Sequence, residues 1–313
     1  MHQSSLKADD SLGSGLPPET SAESASQKSS AVELAGAAGQ HRHITVIEPP
    51  TGRVRLELGE LWRYRDLLIL LMLRDVSARY RQSVVGYGWA VIRPVLSMVI
   101  FTVIFGGFAR LPSDGAPYAI FSFAALMPWM YFSGALASVT NSVVGSGSML
   151  TKVYFPRLIL PLTGVVVGLA ELVIQGVILG LLMAWYQVAP GWQIALVPLW
   201  VLMCVVTALA FGLWLTALNV KYRDVGMAVP FILQVWMYMC PIIYPSSVVP
   251  DKWRMVYGLN PMAGVIEGFR WSILGKAPPD WTMIFVSFAA VAAIFVGGLY
   301  YFRKVEATFA DVI

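Results

Sequence analysis

Residues Leu61–Gln82 read LWRYRDLLILLMLRDVSARYRQ, and the chain continues through Gly86 and Gly88 into an apolar run that begins near Trp89. The longest unbroken apolar block here, Leu67–Leu73, is far too short to cross a bilayer, which needs about 20 residues. At helical spacing Ile69, Met72, Leu73, Val76 and Tyr80 fall on one face, with Arg74 and Arg81 sharing a flank. A basic amphipathic helix that leads into a membrane span is expected to lie in the cytoplasmic interface. Such a helix can simply anchor the chain, or it can also offer a docking surface to a cytoplasmic partner. Everything before it reads as tail, and everything after it as membrane.

The composition agrees. The 313 residues are 57% hydrophobic and only 13% charged, with a mean hydropathy of +0.67. A soluble domain carries about 25% charged residues, so this is an integral membrane protein. The formal charge of +4 invites a nucleic-acid reading, but the basic residues cluster beside apolar spans, where the positive-inside rule explains them better. Cys204 and Cys240 both sit in apolar segments and imply no disulfide framework.

Three regions follow. Residues 1–43 are rich in Ser, Ala and Gly and are expected to form a disordered cytoplasmic tail. Residues 44–88 hold a short strand at Ile44–Ile47 and the interface helix. Residues 89–313 carry six apolar spans, roughly Trp89–Ala109, Tyr118–Val139, Leu158–Tyr186, Trp192–Asn219, Val225–Tyr244 and Trp281–Phe302. The second should be kinked or weakened at Pro128. With the N-terminus inside, all but five of the 22 lysines and arginines (Arg110, Lys252, Arg254, Arg270 and Lys276) fall on the inner side. Both termini are therefore expected in the cytoplasm. The segment Pro245–Asp280 is too apolar for an ordinary loop. It suggests two short helices dipping back into the outer leaflet, broken at Asn260–Pro261. The expected fold is all-α, with six transmembrane helices, an amphipathic interface helix and re-entrant outer helices between spans five and six.

Several chemistries find no residues to carry them. The string GSGSMLTK, Gly145–Lys152, lacks the spacing of a phosphate-binding loop and reads as a polar inside loop. There is no HExxH motif and no paired-cysteine motif, so no metal site is expected. A membrane-embedded transferase would need clustered acids, whereas Asp66, Asp75 and Asp224 are scattered. An ion-coupled secondary transporter would need an intramembrane site, and Glu171 is the only candidate. Gln175, one turn on, could hydrogen-bond a protonated Glu171, which would make the acid a packed neutral group. Trp129 and Tyr131 in span two, and Trp236 and Tyr238 in span five, sit too deep for an interfacial belt. They suit stacking on sugar rings, and ordinary helix packing would use them equally well.

The sequence ELWRYRDLLILLMLRDVSARYRQSVVGYGWAVIRPVL, Glu60–Leu96, together with NVKYRDV (Asn219–Val225), LNPM (Leu259–Met262) and the six spans, resembles the permease subunit of type-2 ABC exporters of lipid-linked polysaccharides. The resemblance runs from about Ile44 to the C-terminus. It implies a subunit that is not itself an enzyme and that exports a polyprenyl-linked chain (O-antigen, capsule or teichoic acid) across the bacterial inner membrane. It further implies a homodimeric twelve-span channel and a separate ATPase that binds ATP and Mg. By that likeness Arg74, Arg79, Arg81, Lys152 and Arg157 would face the ATPase, and Tyr222, Arg223 and Asp224 would lie in the second inside loop. Asn260 and Pro261 would sit in the outer re-entrant loop, and Trp129, Tyr131, Trp236 and Tyr238 would line the channel.

Overall fold

The computed structural model describes residues 58–80, 86–150, 155–276, 278–306 and 309. The tail, the Ile44–Ile47 strand, Arg81 and Lys152 lie outside the described residues. Every regular element among them is helical: α1 (Leu58–Arg63), α2 (Arg65–Tyr80), α3 (Trp89–Phe101), α4 (Tyr118–Ser142), α5 (Ile159–Trp185), α6 (Val197–Lys221), α7 (Asp224–Tyr238), α8 (Asp251–Gly258), α9 (Pro261–Leu274) and α10 (Trp281–Glu306). A π-helical turn, Thr102–Phe108, extends α3, and a 3-10 turn, Trp192–Leu196, leads into α6.

The bundle is built around α4. It packs on α5, α6, α9 and α3, and 83% of its apolar window is buried, against 11% for the span that begins with α3. A helix that is apolar on every side belongs in the middle, and α4 has Ala124, Ala125 and Ala135 to admit close neighbours. The helix is continuous through Pro128, whose carbonyl accepts a long contact from Cys204 Sγ at 3.4 Å.

Among the described residues five helical segments are long and apolar enough to cross a membrane: Trp89–Phe108, Tyr118–Ser142, Ile159–Trp185, Trp192–Lys221 and Trp281–Glu306. The expected fifth span differs. Its helix, α7, has 15 residues and so a length of about 22 Å, short of a hydrocarbon core of about 30 Å. The helix stops at Tyr238 because Pro241 follows closely, and a proline disfavours helix in the residue before it. Cys240–Ile243 then continues as irregular backbone buried under its neighbours.

The interface helix also differs in detail. Its packed face is Tyr64, Leu67, Leu68 and Leu71, with Leu71 only 2% exposed among Val143, Leu158 and Ile159. Ile69 and Leu73, expected on its apolar face, are exposed on the other side. The run Leu67–Leu73 is apolar nearly all round, so periodicity alone does not choose between the two faces.

On the α9 side, helix approach is limited by glycine. A Cβ at Gly268 would lie 2.4 Å from the Trp200 ring, which is buried and fixed by its Nε1 donating to Ser272 Oγ at 2.7 Å. Gly268→Ala should therefore destabilise the fold by about 1–3 kcal/mol, the usual range for overpacking. Thermal unfolding in detergent should show a lowered midpoint for this variant. Gly180→Ala, where the new methyl meets nothing within 4 Å, should leave the midpoint unchanged.

Candidate functional site

Helices α7 and α8, with the turn between α8 and α9, wall a groove of about 990 Å³ lined almost wholly by apolar and aromatic side chains. Trp236 and Tyr238 both reach it, together with Phe231, Val235, Tyr257 and Asn260. Tyr238 is 55% exposed, whereas Trp236 is half-buried and held edge-on by Phe132, Phe211 and Trp129. Behind that wall Trp129 is only 4% exposed. Tyr131 is equally enclosed, its hydroxyl donating to the Val165 carbonyl at 3.1 Å and its ring covering Gly168. Trp129 thus buttresses Trp236, and Tyr131 joins α4 to α5.

Asn260 is the joint of the groove. Its Oδ1 accepts from Trp236 Nε1 at 2.9 Å and from the Met262 amide at 3.2 Å, while its Nδ2 donates to the Met239 carbonyl at 3.0 Å. Asn260 is therefore the N-cap of α9, with Pro261 at the first helical position, where its missing N–H costs nothing. Ser287 Oγ closes the corner by donating to the Gly258 carbonyl at 2.8 Å. Burial, then a hydrogen bond with Tyr244, holds the Tyr257 phenol above its ordinary pKa, so it remains a neutral donor there.

The basic residues separate into two kinds. Arg74 is exposed, clasps Asp75 Oδ1 at 2.8 Å and approaches Met149 Sδ at 3.9 Å, so α2 lies beside the turn Gly147–Leu150. Of Arg79 only the helical backbone is described. Arg157 is turned inward instead. Its guanidinium donates to the Glu306 carbonyl and lies over the Phe309 ring, and its amide donates to Glu306 Oε1 at 3.2 Å. Tyr222, Arg223 and Asp224 are exposed in the turn between α6 and α7. Glu171 is half-buried near the middle of α5, one turn from the buried Gln175. No group of acids, histidines or cysteines among the described residues could hold a metal ion.

Two residues of consequence escaped the sequence reading. Asn219, 2% exposed, donates to the Thr140 carbonyl at 3.0 Å and accepts from the Gly226 amide at 2.8 Å, fastening the α6–α7 turn to the end of α4. Arg270, 5% exposed, donates to the Pro241 carbonyl and stacks on Phe121 at 4.0 Å. An asparagine after an apolar run and an arginine in an outer helix both pass as surface residues in sequence. Only the mean apolarity of their surroundings hinted otherwise.

The sequence pattern of the ABC-2 type transporter family matches residues 66–274, about two thirds of the chain. The chain belongs to this family. As an ABC-2 permease it is not itself an enzyme, and it works with a separate nucleotide-binding subunit in which ATP is hydrolysed. It is 31% identical over 237 residues to the O-antigen export system permease protein RfbA of Myxococcus xanthus, covering 75% of this chain and 90% of that one. A protein of the same name from Klebsiella pneumoniae is 27% identical over 266 residues, 83% of this chain and 99% of the other. The polysialic acid transport protein KpsM of Escherichia coli is 21% identical over 244 residues, 76% of this chain and 93% of that one.

Asn260→Ala in this permease should cost about 1–2 kcal/mol for the cap alone and leave the Trp236 N–H without its acceptor. Asn260→Asp, which keeps the acceptor and loses the donor to Met239, should fall between. Unfolding midpoints and tryptophan emission read together test this, and a wild-type midpoint for the alanine variant would remove Asn260 from its role as joint.

Proposed function

We propose that this chain is the membrane subunit of an ATP-driven exporter of a polyprenyl-linked polysaccharide, O-antigen first among the candidates, in the bacterial inner membrane. The observation that carries this reading is the similarity along nearly the whole length of two O-antigen export permeases. The aromatic groove supplies a path that suits it. Sugar rings present apolar C–H faces, and Trp236 and Tyr238 offer them broad surfaces without a strong polar trap. A polymer in transit must leave each contact as readily as it enters.

On this reading two copies pair with their grooves facing, and the exposed apolar side of α7 (Met227, Phe231, Ile232 and Val235) meets its counterpart or the passing chain. Helix α7 and the irregular segment after it make the sixth crossing, the α8–α9 hairpin caps the outer side, and both termini are cytoplasmic. The ATPase, carrying ATP and Mg, docks on α2 around Arg74 and on the neighbouring turn Gly147–Leu150. Arg157, tied to Glu306, shapes that surface from within rather than contacting the partner.

Alanine variants separate lining from packing. Tyr238→Ala should reduce surface polysaccharide per folded permease about threefold to tenfold, the equivalent of about 0.5–1.5 kcal/mol of aromatic contact, with little loss of folded protein. Trp129→Ala should instead lose folded protein first, since emptying a packed site costs about 3–5 kcal/mol. Export per folded permease at the wild-type level for both Tyr238→Ala and Trp236→Ala would refute the groove as the path.

A further inference from the structure

A second cavity, of about 470 Å³, lies between α3, α4 and α5, away from the aromatic groove. Its walls are polar in a specific way. Gln175 is 4% exposed, and its Oε1 has no hydrogen-bond partner among the described residues. Pro94 also lines the cleft; having no N–H, it leaves the Ala90 carbonyl, one turn below on the same wall, without its helical donor. Ser133 Oγ already donates to the Met130 carbonyl at 3.1 Å, which leaves that oxygen to accept. Glu171 contributes a carboxylate one turn from Gln175. Inside the cleft the acceptors Gln175 Oε1, Ser133 Oγ and the Ala90 carbonyl lie on neighbouring walls, while the donors of Trp89 and Arg93 stand at its exposed rim. At its rim Arg93 is exposed, its guanidinium 5.7 Å from the centre of the Trp89 ring. A Cβ added at Gly134 would meet nothing within 4 Å, so the space is open.

A buried acceptor without a donor is costly, and a hydroxyl-bearing guest would relieve it. An exposed arginine beside those acceptors suits an anion, phosphate above all. The outer flank of α3 adds a run of exposed apolar residues, Leu96, Val99, Ile100 and Val103, along which an acyl or prenyl tail could lie. We infer that this cleft binds the head of a phosphoglycolipid. Sugar hydroxyls donate to Gln175, Ser133 and the Ala90 carbonyl, the phosphate pairs with Arg93, and the tail runs along α3. The inference rests on the reading of the chain as a polysaccharide-export permease, and it places the carrier-linked end of the cargo apart from the aromatic groove.

The test uses the full-length permease in phosphatidylcholine nanodiscs, with tritiated farnesyl diphospho-N-acetylglucosamine as probe. Gln175→Leu removes the orphaned acceptor at nearly constant volume and should fold normally, because an apolar group there leaves nothing unsatisfied. Gly134→Leu fills the open space, and Arg93→Gln alters only the exposed rim. Each should weaken probe binding at least tenfold, and Arg93→Lys should restore part of the loss. Farnesyl diphosphate, which lacks the sugar, should depend on Arg93 but not on Gln175. Equal binding by wild type, Gln175→Leu and Gly134→Leu would overturn the inference while leaving the export reading intact. Equal competition by phosphatidylglycerol would also overturn it, by reducing the cleft to a site for ordinary lipid. A wild-type permease that binds no probe, and with its ATPase exports no polysaccharide, would overturn both.

Discussion

The arrangement depends on how three backbone carbonyls beyond the end of α7 are satisfied. Irregular backbone at membrane depth is tolerated only where protein or water meets its polar groups. Here Asn260 donates to the Met239 carbonyl, Arg270 to that of Pro241 and Tyr118, at 2.7 Å, to that of Ile243. Alternate carbonyls are thus captured by side chains from three places in the sequence. Pro241 ends the helix, and these donors are what let the buried segment beyond it run on as irregular backbone.

The same capture builds the groove. Because Asn260 also caps α9 and holds the Trp236 ring, the place where α7 ends is tied to the joint between α8 and α9. Arg270 reaches in from the next turns of α9, buried over Phe121 of the central helix and 3.7 Å from Glu267. The hairpin is accordingly fastened to α4 as well as to α7. Trp200 and Gly268 then bring α9 against α6. A wide apolar groove can stay open in one subunit because its frame is tied at both ends by polar contacts that lipid cannot replace.

Much of this was legible in the sequence. Six apolar runs stood out, of which five are helices long enough to cross a membrane among the described residues, and the break expected at Asn260–Pro261 lies where α9 begins. The family was legible in Glu60–Leu96. What could not be read was direction. Helix α4 is apolar on all sides, so nothing in its period tells whether Trp129 and Tyr131 face a groove or a neighbour; here both are enclosed, while Trp236 and Tyr238 reach open space. The same ambiguity hid the packed face of α2. Asn219 and Arg270 matter through partners far along the chain, and no local pattern announces such pairings. The cleft acceptor Gln175 matters for the opposite reason, its Oε1 having no partner among the described residues.

On the proposed function, glycan passes along the groove walled by α7 and the α8–α9 hairpin. The most direct test places a photo-reactive amino acid at Tyr238 and, as a lipid-facing control, at Trp185, which is 81% exposed at the end of α5. Cells actively exporting polysaccharide are then irradiated, and the permease is analysed for attached sugar and lipid. Glycan joined to position 238 and only phospholipid at position 185 is the predicted result. Phospholipid alone at both positions would contradict the account.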